Sequence, residues 1–145
     1  MSGATTMQKR LEVAREAKTW LGTPYHHHAK VKGAGVDCAM LLVDVYHACG
    51  LIPEIDPRPY PHDWHLHRDA ERYLGWVEQY AHEVERPQVG DVAVWRFGRA
   101  YSHGAICLEG TQIVHSYIGI GCVLGDREQE PFIGRAVRYY SLFDD

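Results

Sequence analysis

The apolar positions of this chain change period partway along it. Over residues 6–21, Val13, Ala17, Trp20 and Leu21 recur at i, i+4, i+7 and i+8, the stripe of a helix with one buried face. Thr5 or Thr6 can cap its start, and Gly22 and Pro24 stop it. A second stripe, Cys38, Leu41, Leu42 and Val45, predicts a helix over 38–48 that Gly50 can end. Asp37 stands at its N-cap position, where a carboxylate suits the positive end of the helix dipole. A third helix is expected in "AERYLGWVEQYAHEVE", with Tyr73, Leu74, Val77 and Tyr80 or Ala81 on one side. After "RPQVGD" the pattern turns to strands: "DVAVWRF", "SHGAICL", "TQIVHSYI", a short "CVLGD" and "GRAVRYYSLF". Helices first and strands second predict an α+β fold with an antiparallel sheet.

Two stretches carry no period. "LGTPYHHHAKVKGAGVD" reads as a loop of about 15 residues, and loops of that length in compact domains are commonly functional or mobile. "IPEIDPRPYPHDWHLHRD" holds four prolines and reads as irregular structure.

Composition narrows the picture. The 145 residues suffice for one domain, 1–145, with a hydrophobic core, and are too few for two. The formal charge is −4 and no basic block is long enough to follow a nucleic-acid backbone, so nucleic acid is not the expected partner. The amino terminus lacks the apolar core of a signal peptide, and no apolar run approaches the roughly 20 residues of a membrane span. The expected location is therefore cytoplasmic at synthesis. Cys38, Cys49, Cys107 and Cys122 show no metal-binding spacing. Free thiols are the default without a secretion signal, although pairings such as Cys49–Cys107 stay open.

The turn at Gly110 brings chemistry into the pattern. A three-residue loop, Leu108-Glu109-Gly110, places glycine at the left-handed position and pairs Cys107 with Thr111. Counting outward, His103 then lies opposite His115, with Cβ atoms about 5 Å apart. A two-residue turn would set His115 beside Gly104 instead. Cys38, at a helix start, meets unpaired amides and a dipole that favour a thiolate. Cys38 as nucleophile, His103 as base and His115 as orienting group follow the logic of a cysteine hydrolase. The Cys38 amide is a candidate oxyanion donor, and Tyr25 in "GTPYHH" can supply another contact.

In this order the segments resemble the NlpC/P60 family of papain-like peptidoglycan peptidases. "LGTPYHHHAKVKGAGVDCAMLLVDVY" is similar to the family's G-x-P-Y segment, glycine-rich approach and D-C-S-G-L motif. "VGDVAVW" and "SHGAICLEGTQIVHSY" are similar to its P-G-D strand and its paired histidine strands. The resemblance runs over roughly residues 10–140. It implies a papain-like fold, with N-terminal helices packed on a C-terminal antiparallel sheet. Carried over by position, it implies Cys38 as nucleophile, His103 as base, His115 as third polar residue and Tyr25 as the flanking tyrosine. It also implies hydrolysis of peptidoglycan stem peptides, often at D-γ-glutamyl-meso-diaminopimelate, without a cofactor. The form resembles the stand-alone peptidases of phage tails and gene-transfer particles, which implies incorporation into such a particle and tail-tip proteins as partners. The chain departs from the family at Ala39 and Met40, where serine and glycine usually follow the cysteine. Met40 can narrow the cleft or pack on another element, and Ala39 removes a hydroxyl.

Rival readings stand beside this one. The fold can persist as an inactive tail module. The same cysteine can serve an amidase or acyltransferase acting on another amide or a lipid. "YHHHAK" and "HDWHLHRD", with Asp63 or Asp69, could supply zinc ligands. Against this, three successive histidines cannot all face one centre, and loop histidines that attract an anionic stem peptide are the preferred reading.

Overall fold

The computed structural model describes residues 3–58 and 72–144. Helix α1 (Gly3–Lys18) leads through a loop to two short strands, β1 (Lys30–Val31) and β2 (Gly35–Val36), and then to α2 (Cys38–Ala48). After the irregular stretch come α3 (Arg72–Tyr80), β3 (His82–Val84), β4 (Val92–Phe97), β5 (Ala100–Cys107), β6 (Gln112–Tyr117), β7 (Gly121–Asp126) and β8 (Val137–Ser141). The last six strands form an antiparallel sheet in the order β3-β8-β4-β5-β6-β7. Among the described residues no helix is long and apolar enough to cross a membrane.

The α+β architecture expected from the pattern is the one observed. Val13, Ala17, Trp20, Met40, Leu41 and Val45 from the helical side pack with Val94, Ile106 and Val114 of the sheet in the main core. Alternate residues of the same strands, including Trp95, Ala105 and Ile113, form a second cluster with Phe132. Each strand is thus buried on both faces, which is why β4 and β5 read as nearly unbroken apolar runs.

Boundaries differ from expectation where tertiary contacts intervene. α1 starts at Gly3 and ends at Lys18, so Thr5 and Thr6 lie within its first turns. Trp20 follows the helix in a turn held by i→i−3 bonds, and Leu21 is exposed. The third helix stops at Tyr80, because His82–Val84 pairs with β8 as an edge strand. The "KVKGAGV" part of the loop folds back as β1 and β2. Residues 59–71, with Asp63, His65, His67, Asp69 and the start of the expected third helix, lie outside the described residues.

A buried ion pair joins the helices to the sheet. Arg10 of α1 donates to Asp91 Oδ1 at 2.8 Å, to the Val89 carbonyl at 2.9 Å and to Ser141 Oγ at 3.3 Å. Asp91 Oδ2 accepts the Gln88 amide at 2.8 Å. These hydrogen bonds cross to other elements or close a turn, so each buried charge faces an opposite charge and further polar partners.

Candidate functional site

Asp37 and Cys38 answer to local rules. The Asp37 backbone is extended, and its Oδ1 accepts the amides of Ala39 at 3.1 Å and Met40 at 2.9 Å, satisfying two donors of the first turn. Its Oδ2 accepts the His28 amide at 2.7 Å. The carboxylate therefore both caps α2 and ties the histidine loop to it. His28 adopts a left-handed φ of 66°, and its ring stacks on His27 with centroids 3.8 Å apart. Among the described residues no group of three or more His, Cys, Asp or Glu side chains converges as a metal site. All four cysteines are free thiols.

The start of α2 enters the sheet where β5 and β6 part. Their ladder ends at Ile106 with Val114. Beyond it, Ser116 Oγ donates to the Val36 carbonyl at 2.7 Å, and Cys38 Sγ donates to the Ser102 carbonyl at 3.7 Å. A bulge helps. The pairs Trp95↔His103 and Arg96↔Tyr101 leave Ser102 without a partner in β4. Bulges bend a strand and re-aim its groups, and this one is immediately before His103.

His103 and His115 come together, though not by the register expected. Cys107 pairs with Ile113 rather than Thr111. The Leu108 amide bonds the Gln112 carbonyl, while the Thr111 carbonyl is taken by the Arg127 amide, so the pairing register shifts by two. Gly110 has the expected left-handed φ, 66°. A shift of two keeps side chains on the same face, since strand residues alternate. The histidines therefore still meet, with His103 Nε2 3.0 Å from His115 Nδ1 and their rings perpendicular. His103 packs against Trp95, Phe97, Tyr117 and Phe132, and His115 stands over Gly125, where a Cβ would come within 2.9 Å of its Nε2.

The electrostatics are those of a dry site. Burial pushes the Cys38 thiol up to about 12, and the Asp37 carboxylate adds to the rise; the Gly104 amide and the Tyr73 hydroxyl oppose it. Desolvation thus outweighs the helix-start effect expected from sequence, and the resting group is a thiol. Burial, then His115 and Arg135, hold His103 well below the ordinary imidazole value. Burial alone lowers His115 to about 4. Tyr25 is half-buried beside this site; burial, then Cys38 and Asp37, raise its pKa.

The four expected residues thus occupy one region, but the sulfur's hydrogen bond goes to the Ser102 carbonyl rather than to an imidazole nitrogen. With Gly104 also donating toward it, the sulfur rests on the stretch of β5 that carries His103. Met40 is fully buried and lies in the core, so it does not narrow a cleft. Ala39 instead lines an apolar pocket between α2 and α3, with Leu42, Val43, Tyr73 and Trp76. Tyr73, read from sequence only as part of a helix face, donates to the Cys38 carbonyl at 2.9 Å. The apolar period of α3 gave no sign of this bond, because both partners are needed to see it.

No family model matches the chain, and no curated protein matches it by sequence. Solved structures do match. The NlpC/p60 domain of the peptidoglycan hydrolase SagA aligns over 89% of this chain and 96% of its own, at 21% identity and a TM-score of 0.59. RipB, a peptidoglycan hydrolase of Mycobacterium tuberculosis, aligns over 100% of this chain and 70% of its own, at 16% identity and a TM-score of 0.66. A lipoprotein-like NLP/P60 protein of Staphylococcus aureus aligns over 90% of this chain and 41% of its own, at 22% identity and a TM-score of 0.62. With three helices, a six-stranded antiparallel sheet and these neighbours, the chain has the α+β NlpC/P60 fold.

Proposed function

We propose that the chain, acting as one domain over residues 1–145, is a cysteine peptidase that cleaves peptidoglycan stem peptides. The observation that carries this reading is the Cys38 sulfur seated on residues 102–104 of β5, with His103 Nε2 joined to His115 Nδ1 at 3.0 Å. The nitrogen of His103 left for the thiol is Nδ1. Neutral His115 accepts the Nε2 proton through Nδ1, which selects the His103 tautomer able to act as a base. The low pKa of His115 keeps it uncharged near neutral pH, so it does not repel the imidazolium that forms.

In the reaction, the sulfur leaves the Ser102 carbonyl and passes its proton to His103 Nδ1. The thiolate attacks the scissile carbonyl carbon, and the oxyanion is met by the Cys38 amide and Tyr25. The carbon–nitrogen bond breaks as the His103 imidazolium protonates the departing amine. Water then attacks the thioester, giving its proton to His103, and the acid leaves as the thiol re-forms. The proposed bond is that between D-γ-glutamate and meso-diaminopimelate, and the proposed setting is a phage tail or tail-like particle with tail-tip proteins as partners. Support for the substrate comes from the segment resemblance and from the hydrolases that share the fold.

An acyltransferase or amidase acting on a lipid is the second reading, favoured by the apolar pocket that shares Ala39 and Tyr73 with the surroundings of Cys38. Cys38 itself does not line that pocket, which leaves the peptide reading ahead. The deciding experiment incubates wild type and Cys38→Ala with defined stem peptides and reads products by mass spectrometry. Cleavage by wild type alone is expected. Equal cleavage by both proteins removes the cysteine mechanism. Turnover of long-chain acyl thioesters, with stem peptides untouched, replaces the peptidase by the lipid reading.

A further inference from the structure

Tyr73 lies 35 residues from Cys38 in sequence and is 3% exposed. Its hydroxyl donates to the Cys38 carbonyl at 2.9 Å, and its ring lies on Gly104, whose amide faces the same sulfur. A Cβ at Gly104 would stand 2.8 Å from Tyr73 Cζ and closer still to the hydroxyl, so the phenol occupies the space that only glycine leaves open. The carbonyl that Tyr73 contacts belongs to the first residue of α2, the residue that carries the thiol.

We propose that Tyr73 is a positioning residue for the Cys38 thiol: its single hydroxyl proton turns from the Cys38 carbonyl to the sulfur as the thiol ionises. Before ionisation the sulfur is itself a donor, to Ser102, and a second donor gains little from it. When the sulfur's proton passes to His103 Nδ1, the thiolate becomes the strongest acceptor within reach. The Tyr73 proton is redirected but not transferred, so the charge balance of the step is unchanged. Among the described residues the sulfur meets Asp37 from the cap of α2, Tyr25 from the loop, Tyr73 from α3, and the Ser102 carbonyl and Gly104 amide that flank His103 on β5. Asp37 opposes a second negative charge. A charge-assisted bond from a buried phenol offsets that repulsion. This role rests on the proposed nucleophile but not on the proposed substrate.

The test measures alkylation of Cys38 by iodoacetamide in the full chain as a function of pH, resolved by mass spectrometry from the other three cysteines. Tyr73→Phe keeps the ring and removes the hydroxyl. The expected result is a rate curve displaced upward by about half to one pH unit, a three- to tenfold slower reaction at a fixed pH on the rising limb. Gly104→Ala, which must push the phenol aside, is expected to displace the curve in the same direction, with little further effect in the Tyr73→Phe background. Superimposed wild-type and Tyr73→Phe curves overturn the proposal. So does an equal slowing at Cys49, Cys107 and Cys122, the mark of a general packing change. Alkylation needs no substrate. A displaced curve in a protein that cleaves no stem peptide therefore leaves the role of Tyr73 standing and removes only the peptidase reading.

Discussion

Arg10 with Asp91 and His103 with His115 are both buried polar pairs, the first 2.8 Å apart and the second 3.0 Å. The first pair keeps opposite charges. Its guanidinium also bonds a carbonyl and a hydroxyl, and its carboxylate also accepts an amide. The second pair keeps no charge, because burial holds both imidazoles neutral and holds the neighbouring thiol protonated. Full compensation makes a joint between α1 and the sheet. Neutralisation instead leaves groups whose charged forms are not yet satisfied, the condition that the proposed proton transfer needs. Equal burial thus does not mean equal purpose; what differs is whether the charged forms are already satisfied.

That contrast breaks most readily at His103. His103→Ala removes the proposed base, and kcat/KM on stem peptides is expected to fall by about 10³-fold, within the usual range for a general base, with the fold intact by circular dichroism. Retention of most activity would return His103 to a packing role. At the other pair, Arg10→Ala leaves the buried Asp91 without its counter-charge. The expected loss is about 3–5 kcal/mol of folding stability by urea titration. A loss below about 1 kcal/mol would mean that water reaches Asp91 and that the joint is not dry.

Acid separates the two pairs more gently. Both histidines have folded pKa values below the ordinary ~6.5, so below that pH the unfolded chain binds protons that the native chain refuses. Stability is therefore full above pH ~6.5 and declines as pH falls, for His115 until about 4. The slope approaches about 1.4 kcal/mol per pH unit for each histidine that stays neutral. In His115→Asn, unfolding midpoints between pH 4.5 and 7 should show a shallower decline than wild type. An unchanged slope would assign the acid loss to other groups. The smallest effect is expected at Met40, whose side chain is fully buried in the main core. Met40→Leu should cost less than about 1.5 kcal/mol and leave the pH profile of cleavage unmoved. A displaced profile would place Met40 in contact with the reacting groups.

Much of the candidate site was legible in the chain because its signals are local. An aspartate before an apolar helical stripe caps that helix wherever it packs, so Asp37 and the place of Cys38 at the head of α2 followed from sequence. Strand residues alternate faces, so two histidines at odd positions on neighbouring strands share a face under any shift of two. This is why His103 and His115 meet although the turn at Gly110 is longer than the simplest one. The free state of the thiol was not legible. The helix start favours a thiolate, and only the packed structure reveals that burial and Asp37 prevail.

The sequence by itself determined the order of the main helices and strands and the cap of α2, and it offered one face to the two histidines under one of two readings of the Gly110 turn. These depend on period, on backbone preference and on neighbours a few residues away. The tertiary structure decided the bulge at Ser102, the end of α3 at Tyr80, the bond from Tyr73 to Cys38 and the pairing of Arg10 with Asp91. Each joins groups distant along the chain. His82–Val84 became a strand because β8 supplied an open edge, and Tyr73 reached Cys38 because Gly104 left room for its ring. Local pattern can state what a residue offers, but its partner is chosen only when the chain closes on itself.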